Sequence, residues 1–291
     1  MAVYERNYGR YQGPLTPPWS RFLILPRYAA KDVFDSRLFV AFYALCFLLP
    51  FAGLLMIYLH HNLAALKFIE LPLDELKEAL PINATFFRKG IEFQSWLCFL
   101  MALFVGPALV APDLRNNGLP LYLSRPFSRS EYVLGKMTVL VVLMSLVTWI
   151  PGLLLFFFQG YLEGGGWLGN NLRIGAAIFA GSWAWLLAVS LVALAISAWV
   201  KWKPVARVSL LIVFFVLAGF AEALNVALDT WWGNLLSLST AMNKLWFFLF
   251  GQEDTQRWTQ PVWAAWLTII LGCALSLWLL SRRVRAYEVV R

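Results

Sequence analysis

Six long apolar segments constrain this chain more than any other feature of its sequence. Each has about 18 residues or more and hardly any charge, which is enough for a helix to cross roughly 30 Å of hydrocarbon. The segments are apolar on all sides, whereas the strands of a membrane barrel alternate apolar and polar residues. The sequence therefore predicts an all-α, polytopic membrane protein with six transmembrane helices, at residues 38–59, 93–111, 137–158, 174–200, 205–228 and 262–280.

The composition indicates the same class. Apolar residues make up 60% of the 291 positions and charged residues only 14%, which is more apolar surface than one soluble core can bury. A polar, basic arm precedes the first span, which is itself of full spanning length, so we expect no cleavable signal peptide. The chain then divides into an arm (residues 1–37), a membrane domain (38–281) and a basic tail (282–291).

The distribution of cations predicts an orientation. We group the arm, the loops after the second and fourth spans, and the tail as one side of the membrane. That side holds all but seven of the 24 lysines and arginines, the exceptions being Lys67, Lys77, Arg88, Lys89, Arg173, Lys244 and Arg257. The positive-inside rule then places both termini in the cytoplasm. Cations that flank spans meet anionic lipid headgroups, so the net charge of +8 requires no nucleic-acid partner.

Two segments outside the spans are predicted to lie at the membrane surface. In the arm, residues 26–37 carry apolar residues on one helical face and Arg27, Lys31 and Asp35 on the other, the pattern of an amphipathic interfacial helix. Between spans 5 and 6, residues 231–252 are too apolar for a solvated loop, and their short length and the interruption at Gly233 and Asn234 disfavour a seventh span. We predict two short half-inserted, re-entrant helices there, although a belt of interfacial tryptophans is an alternative explanation.

A polar island interrupts the apolar sequence between spans 2 and 3. It runs from Asp113 to Lys136 and reads DLRNNGLPLYLSRPFSRSEYVLGK. The turn Asn116-Asn117-Gly118 is followed by Pro126, which can occupy the first turn of a new helix. Arg125 and Arg129 lie four residues apart and can donate charge-assisted hydrogen bonds to a partner. Taken singly, each arginine is also explained as a positive-inside cation.

The pattern S-R-P-x-S-R-x-x-Y-x-x-G-K after the second span resembles the cytoplasmic loop that permease subunits of ABC-2 type transporters press against their ATPase. The resemblance extends to the interfacial helix and to re-entrant helices between spans 5 and 6, so it covers the layout of nearly the whole chain. It implies an ATPase-coupling segment formed by Leu121, Ser124, Arg125, Pro126, Ser128, Arg129, Glu131, Tyr132 and Lys136. It also leaves the arm helix two roles, as a lipid anchor or as a neighbour of the ATPase.

The same resemblance implies the partners. A second permease copy or a paralogue would complete a dimer, and a separate nucleotide-binding subunit would bind ATP and magnesium. The chain would then be an exporter subunit in the bacterial inner membrane and not itself an enzyme. The sequence agrees in one respect: it contains no GxxxxGK[ST] phosphate loop, because Gly135-Lys136 is followed by Met137. We therefore expect no cofactor on this chain.

Other catalytic and metal-binding patterns are also missing from the sequence. There is no HExxH or GxSxG motif, and the two histidines, His60 and His61, are adjacent and so point to different faces of a helix. Cys46, Cys98 and Cys273 fall one each in three different spans with no metal-binding spacing. We predict neither a disulfide framework nor a metal site.

Few polar side chains lie at membrane depth. Glu222 and Asn225 lie in span 5 and Gln94 lies in span 2. An ionisable residue inside a span is a candidate for a transport pathway, but Glu222 is equally well placed to bond the re-entrant segment. Asn225 and Gln94 are candidates for bonds between helices.

Three functions remain open from the sequence. The first is the permease of an ATP-driven exporter, with a pathway between two copies. The second is an ion-coupled carrier or channel, which the small number of buried carboxylates disfavours. The third is a membrane anchor subunit without transport. A co-purifying ATPase would distinguish the first from the other two.

Overall fold

The computed structural model describes residues 24–62, 81–116, 129–200, 202–255 and 257–283. Within these ranges the regular structure is entirely helical. The helices are α1 (Ile24–Phe34), α2 (Arg37–Leu45), α3 (Leu48–His61), α4 (Ala84–Leu109), α5 (Ala111–Arg115), α6 (Arg129–Val147), α7 (Trp149–Glu163), α8 (Trp167–Asn170), α9 (Leu172–Trp199), α10 (Lys203–Leu211), α11 (Leu217–Leu228), α12 (Leu238–Leu249) and α13 (Val262–Arg283). A π-helical turn, Ile212–Val216, joins α10 to α11, and a 3₁₀ turn, Trp232–Leu236, precedes α12.

Among the residues that the structure describes, six helical segments are long and apolar enough to cross a membrane, the number that the sequence predicts. They are span 1 (Arg37–His61), span 2 (Ala84–Asp113), span 3 (Ser130–Glu163), span 4 (Leu172–Trp199), span 5 (Lys203–Leu228) and span 6 (Val262–Arg283). The chain is therefore a multi-pass membrane protein with an all-helical fold.

The largest boundary difference is at the start of span 2, which begins nine residues earlier than predicted. Arg88 and Glu92 lie before the predicted start at residue 93, and they form an ion pair of 2.7 Å between adjacent helical turns. Arg88 also packs over the ring of Phe247, 4.1 Å from its centroid. Because their partners satisfy these charges, the helix continues past the apolar segment. Its first turn is capped by Asn83, whose side chain accepts from the amides of Thr85 and Phe86.

Prolines divide spans 1 and 3 into two helices each. Pro50 follows the break between α2 and α3, and Pro151 follows the break between α6 and α7. A proline has no N–H to donate to the carbonyl four residues earlier. For Pro50 that carbonyl belongs to Cys46. The side-chain amide of Gln94 donates to it instead, at 2.8 Å. Gln94 thus joins span 2 to the break in span 1, as expected when neighbouring helices satisfy freed carbonyls.

Span 4 forms the centre of the bundle. It packs against spans 2, 3 and 6, the start of span 5 and α12. In its most apolar stretch of 18 residues, 72% of the residues are buried, against 22% in the corresponding stretch of span 5. Small residues on one face of span 4 permit this close packing: Ala177, Gly181 and Ala188 are buried and Ala184 is half-buried. A Cβ atom at Gly181 would collide with the ring of Trp246 on α12.

The segment between spans 5 and 6 folds back onto the bundle. Span 5 ends at Asp229, which adopts a left-handed conformation with φ of 50°. The side chain of Asn225 then accepts from the amide of Gly233 at 2.8 Å and donates to Asn234 at 2.7 Å. Asn234 in turn donates to the carbonyl of Trp258 at 2.7 Å. These bonds fix the 3₁₀ turn and lead the chain into α12, which packs against spans 4 and 6.

Candidate functional site

The first candidate site lies at the end of the bundle where spans 3 and 5 begin, called the basic end below. Asp113, at the end of span 2, accepts a hydrogen bond from the hydroxyl of Tyr132 at 2.8 Å. The same carboxylate oxygen, Oδ2, lies 2.9 Å from Nζ of Lys136. Tyr132 is fully buried, and the side chains of Lys136 and Asp113 are 9% and 17% exposed. One carboxylate thereby joins the end of span 2 to the first two turns of α6.

Helix α1 lies beside this network and packs against α6. A cavity of about 430 Å³ opens between α1, the end of span 2 and the starts of spans 3 and 5. Its charged lining residues are Asp32, Asp113, Lys136, Lys203 and Arg207. Beyond α1, the chain turns at Asp35 and Ser36 into span 1, where the Ser36 hydroxyl accepts from the amide of Phe39.

The structure brings together only part of the predicted coupling segment. Tyr132 and Lys136 meet at Asp113, Glu131 lies in the first turn of α6, and Arg129 is the residue with which that helix begins. The remaining predicted residues lie outside the described ranges: Leu121, Ser124, Arg125, Pro126 and Ser128. Asp113 was not singled out from the sequence. Two features of the sequence would have identified it. Asp113 is the first charged residue after one apolar segment, and Lys136 stands directly before the next apolar segment.

The predicted amphipathic segment is partly correct in its extent. The helix covers Ile24–Phe34 and ends before Asp35, so Arg37 belongs to span 1 and not to the arm helix. Arg27, Lys31 and Asp35 are exposed, while Ala29 on the opposite face is buried. Phe34, on the face predicted to be apolar, is 42% exposed, so the amphipathic and interfacial character of this helix stays a prediction.

The second candidate site lies at the opposite end of the bundle, called the distal end below. A cavity of about 680 Å³ lies between spans 2, 4 and 5 and α12. Glu222 lines this cavity and, in the single chain, is exposed. The bonds to the segment after span 5, for which Glu222 was a candidate, are made instead by Asn225. Of the three polar residues predicted inside spans, Gln94 and Asn225 therefore hold helices together, and Glu222 faces a cavity.

Two further polar residues of the distal cavity were missed in the sequence. Glu92 lines it from span 2 and Asn243 from α12. Glu92 lies just before the predicted start of span 2, and Asn243 lies in the more polar first half of α12, beside Lys244. Only the fold shows that residues so far apart in sequence share one wall.

No metal centre is found in the part of the chain that the structure describes. No group of three or more histidine, cysteine, aspartate or glutamate side chains is arranged to hold an ion there. His61 contacts Gln159 at 3.1 Å and Glu163 at 3.4 Å, which accounts for it as a link between spans 1 and 3.

Comparison with known proteins adds no further assignment. The chain matches no protein-family model, and no curated protein is similar to it. The functional argument therefore depends on the residues and their geometry.

Proposed function

We propose that this chain is the membrane-spanning permease subunit of an ATP-driven ABC-2 type exporter. One observation supports it most directly: the island between spans 2 and 3 begins and ends at one buried cluster, in which Asp113 binds both Tyr132 and Lys136. A partner that pressed on the island would therefore act on two spans at once. The motif in the island resembles that of ABC-2 permeases. On that resemblance, the partner is an ATPase.

The position of α1 supports the same proposal. Because α1 packs against α6, the helix in which the island ends, a subunit docked on the island would also meet α1. Its exposed Arg27 and Lys31 would then face either that subunit or anionic headgroups at the membrane surface. A helix with one charged face and one packed face serves both contacts.

The pathway would lie between two copies of this chain. In the most apolar stretches of spans 1, 5 and 6, only 17%, 22% and 28% of the residues are buried, so these spans leave apolar faces that a second copy or lipid would cover. In this arrangement the basic end faces the cytoplasm of a bacterial cell, with both termini on that side, as the positive-inside rule predicts. The re-entrant segment around α12 would then close the outer end, and ATP with magnesium would bind to the partner ATPase.

The test is purification of the chain from its native membrane in mild detergent, with identification of the proteins that accompany it. We expect a stoichiometric subunit with a phosphate-binding loop and ATP hydrolysis. The double variant Arg125→Glu with Arg129→Glu should lose that subunit while the bundle stays folded, because it reverses two of the island's four cations and leaves the buried Lys136 in place. Arg282→Glu with Arg283→Glu reverses the same charge at the end of span 6 and should retain the subunit.

The outcomes separate the alternatives. A chain that purifies alone and without ATP hydrolysis would be an uncoupled carrier or an anchor subunit, and the exporter proposal would fall. Loss of the ATPase in both double variants would mean that charge in general, and not the island, holds the complex together.

A further inference from the structure

The distal cavity has the size of a ligand site. Its volume of about 680 Å³ lies within the range of about 300–1,000 Å³ that is typical for pockets of drug-sized molecules. Three spans and α12 of a single chain contribute to its walls. The bonds of Asn225 and Asn234 hold the segment that leads into α12, so the cavity is built into the fold.

Aromatic rings form much of the wall. The cavity is lined by Trp96, Trp185, Trp246 and Trp258. Trp185 has its indole N–H satisfied by the carbonyl of Ser95 at 2.9 Å, which fixes the orientation of its ring. The faces of indole rings attract cations as well as apolar surface. The wall therefore suits a molecule that combines an apolar body with positive charge.

Most charges around the cavity are already paired. Glu92 binds Arg88 at 2.7 Å. Arg257, the cation in the lining, lies 3.7 Å from Asp229 and over the ring of Trp258 at 4.7 Å. Glu222 has no hydrogen bond or ion pair with any residue in the described ranges. The site is thus left with one uncompensated negative charge.

A neutral acceptor in the same cavity also lacks a donor. The side-chain oxygen of Asn243 is buried and accepts no hydrogen bond within the described part of the chain. Because this oxygen has almost no accessible surface, a ligand would reach it only after a neighbouring side chain moved, whereas the exposed carboxylate of Glu222 can accept from a ligand N–H group directly. An anion would be repelled by Glu222 and would satisfy neither acceptor. A metal ion would find one unpaired carboxylate among indole rings, which is a poor set of oxygen ligands.

We infer that the distal cavity binds amphiphilic organic monocations that carry N–H donors, with Glu222 as the counter-charge and the tryptophan rings as the apolar wall. This deepens the proposed function by naming a class of cargo. That the bound molecule is transported rests on the proposed function. Binding itself needs neither ATP nor the ATPase.

The test uses the purified chain in nanodiscs of zwitterionic phosphatidylcholine, without ATPase, and measures fluorescence anisotropy of rhodamine 6G against empty nanodiscs. Rhodamine 6G is an amphiphilic monocation with N–H groups, and fluorescein is an anion with the same ring system. We expect saturable binding of rhodamine 6G and none of fluorescein. Glu222→Gln should weaken binding by about 10- to 100-fold, the value of a hydrogen bond to a charged group.

Matched variants keep the test specific. Glu253→Gln removes the same charge from an exposed position outside the cavity and should bind as the wild type does. Trp96→Leu should weaken binding, whereas Trp263→Leu, an exposed tryptophan outside the cavity, should not. If Glu222→Gln does not fold, as judged by gel filtration, the tryptophan pair decides the question.

Either proposal can fail without the other. Absence of saturable binding, equal binding of fluorescein, or unchanged affinity in both Glu222→Gln and Trp96→Leu overturns the cation site. Cation binding by a chain that brings down no ATPase keeps the site and rejects the exporter.

Discussion

Nζ of Lys136 and the hydroxyl of Tyr132 meet at the same oxygen of Asp113, at 2.9 Å and 2.8 Å. These contacts close the segment between spans 2 and 3 into a loop whose two ends cannot move independently. For a loop proposed to receive a push from a soluble subunit, this closure matters because it converts local pressure into displacement of two spans.

Removal of the Asp113 charge should destabilise the fold. In Asp113→Asn the buried Lys136 loses its counter-charge, at a cost of about 1–3 kcal/mol. Adding Lys136→Met to this variant should restore part of the loss, because no unpaired charge then remains. The measurement is the thermal unfolding midpoint in detergent. Arg257→Gln, which breaks an ion pair whose side chains are 80% and 79% exposed, is the control and should leave the midpoint unchanged. An Asp113→Asn midpoint equal to that of the control would mean that the buried pair contributes nothing.

The contact between span 4 and α12 should tolerate no added methyl group at Gly181. The new Cβ of Gly181→Ala would meet the ring of Trp246, and overpacking of this kind costs about 1–3 kcal/mol. At Gly219 in span 5 no atom lies within 4 Å of an added Cβ, so Gly219→Ala should be neutral or slightly stabilising. Unfolding midpoints of the two variants, measured together, test the packing. Equal midpoints would show that α12 does not press on span 4.

The sequence predicted the helical class and the six spans, because an apolar segment of spanning length has few other ways to fold. It did not predict where span 2 begins, since Arg88 finds Phe247 and Gln252 only after α12 has packed against the bundle. Gln94 illustrates the same point: its partner is a carbonyl freed by Pro50 in another span. The island could be recognised in the sequence because its residues form one continuous motif. The distal cavity could not, because Glu92, Glu222 and Asn243, which line it, come from segments far apart in the sequence.

Arg173 should hold the end of α12. Its guanidinium donates to the carbonyl of Leu249 at 3.0 Å and to that of Phe248 at 2.6 Å, in the last helical turn, where carbonyls lack donors from a following turn. The carbonyl of Phe248 also accepts from the amide of Gly251 at 3.1 Å. In Arg173→Ala we expect amide hydrogen exchange to become faster in residues 245–252. Arg257→Ala removes an exposed arginine from the same end of the bundle and should leave exchange in this segment unchanged. Equal exchange in wild type and Arg173→Ala would mean that packing alone fixes the helix end.

The orientation of the bundle can be tested by cysteine labelling. Cys46 and Cys98 are buried and Cys273 is partly buried, so all three can be replaced by alanine or serine to give a background without reactive thiols. Arg115→Cys places a single exposed thiol at the basic end, and Glu253→Cys places one at the distal end. If most cations face the cytoplasm, a membrane-impermeant maleimide added to intact cells should label position 253 and not position 115. Both positions should react after permeabilisation. Labelling of position 115 in intact cells would put the island on the outer surface, where no cytoplasmic ATPase can reach it, and the proposed coupling would then be wrong even if the fold is right.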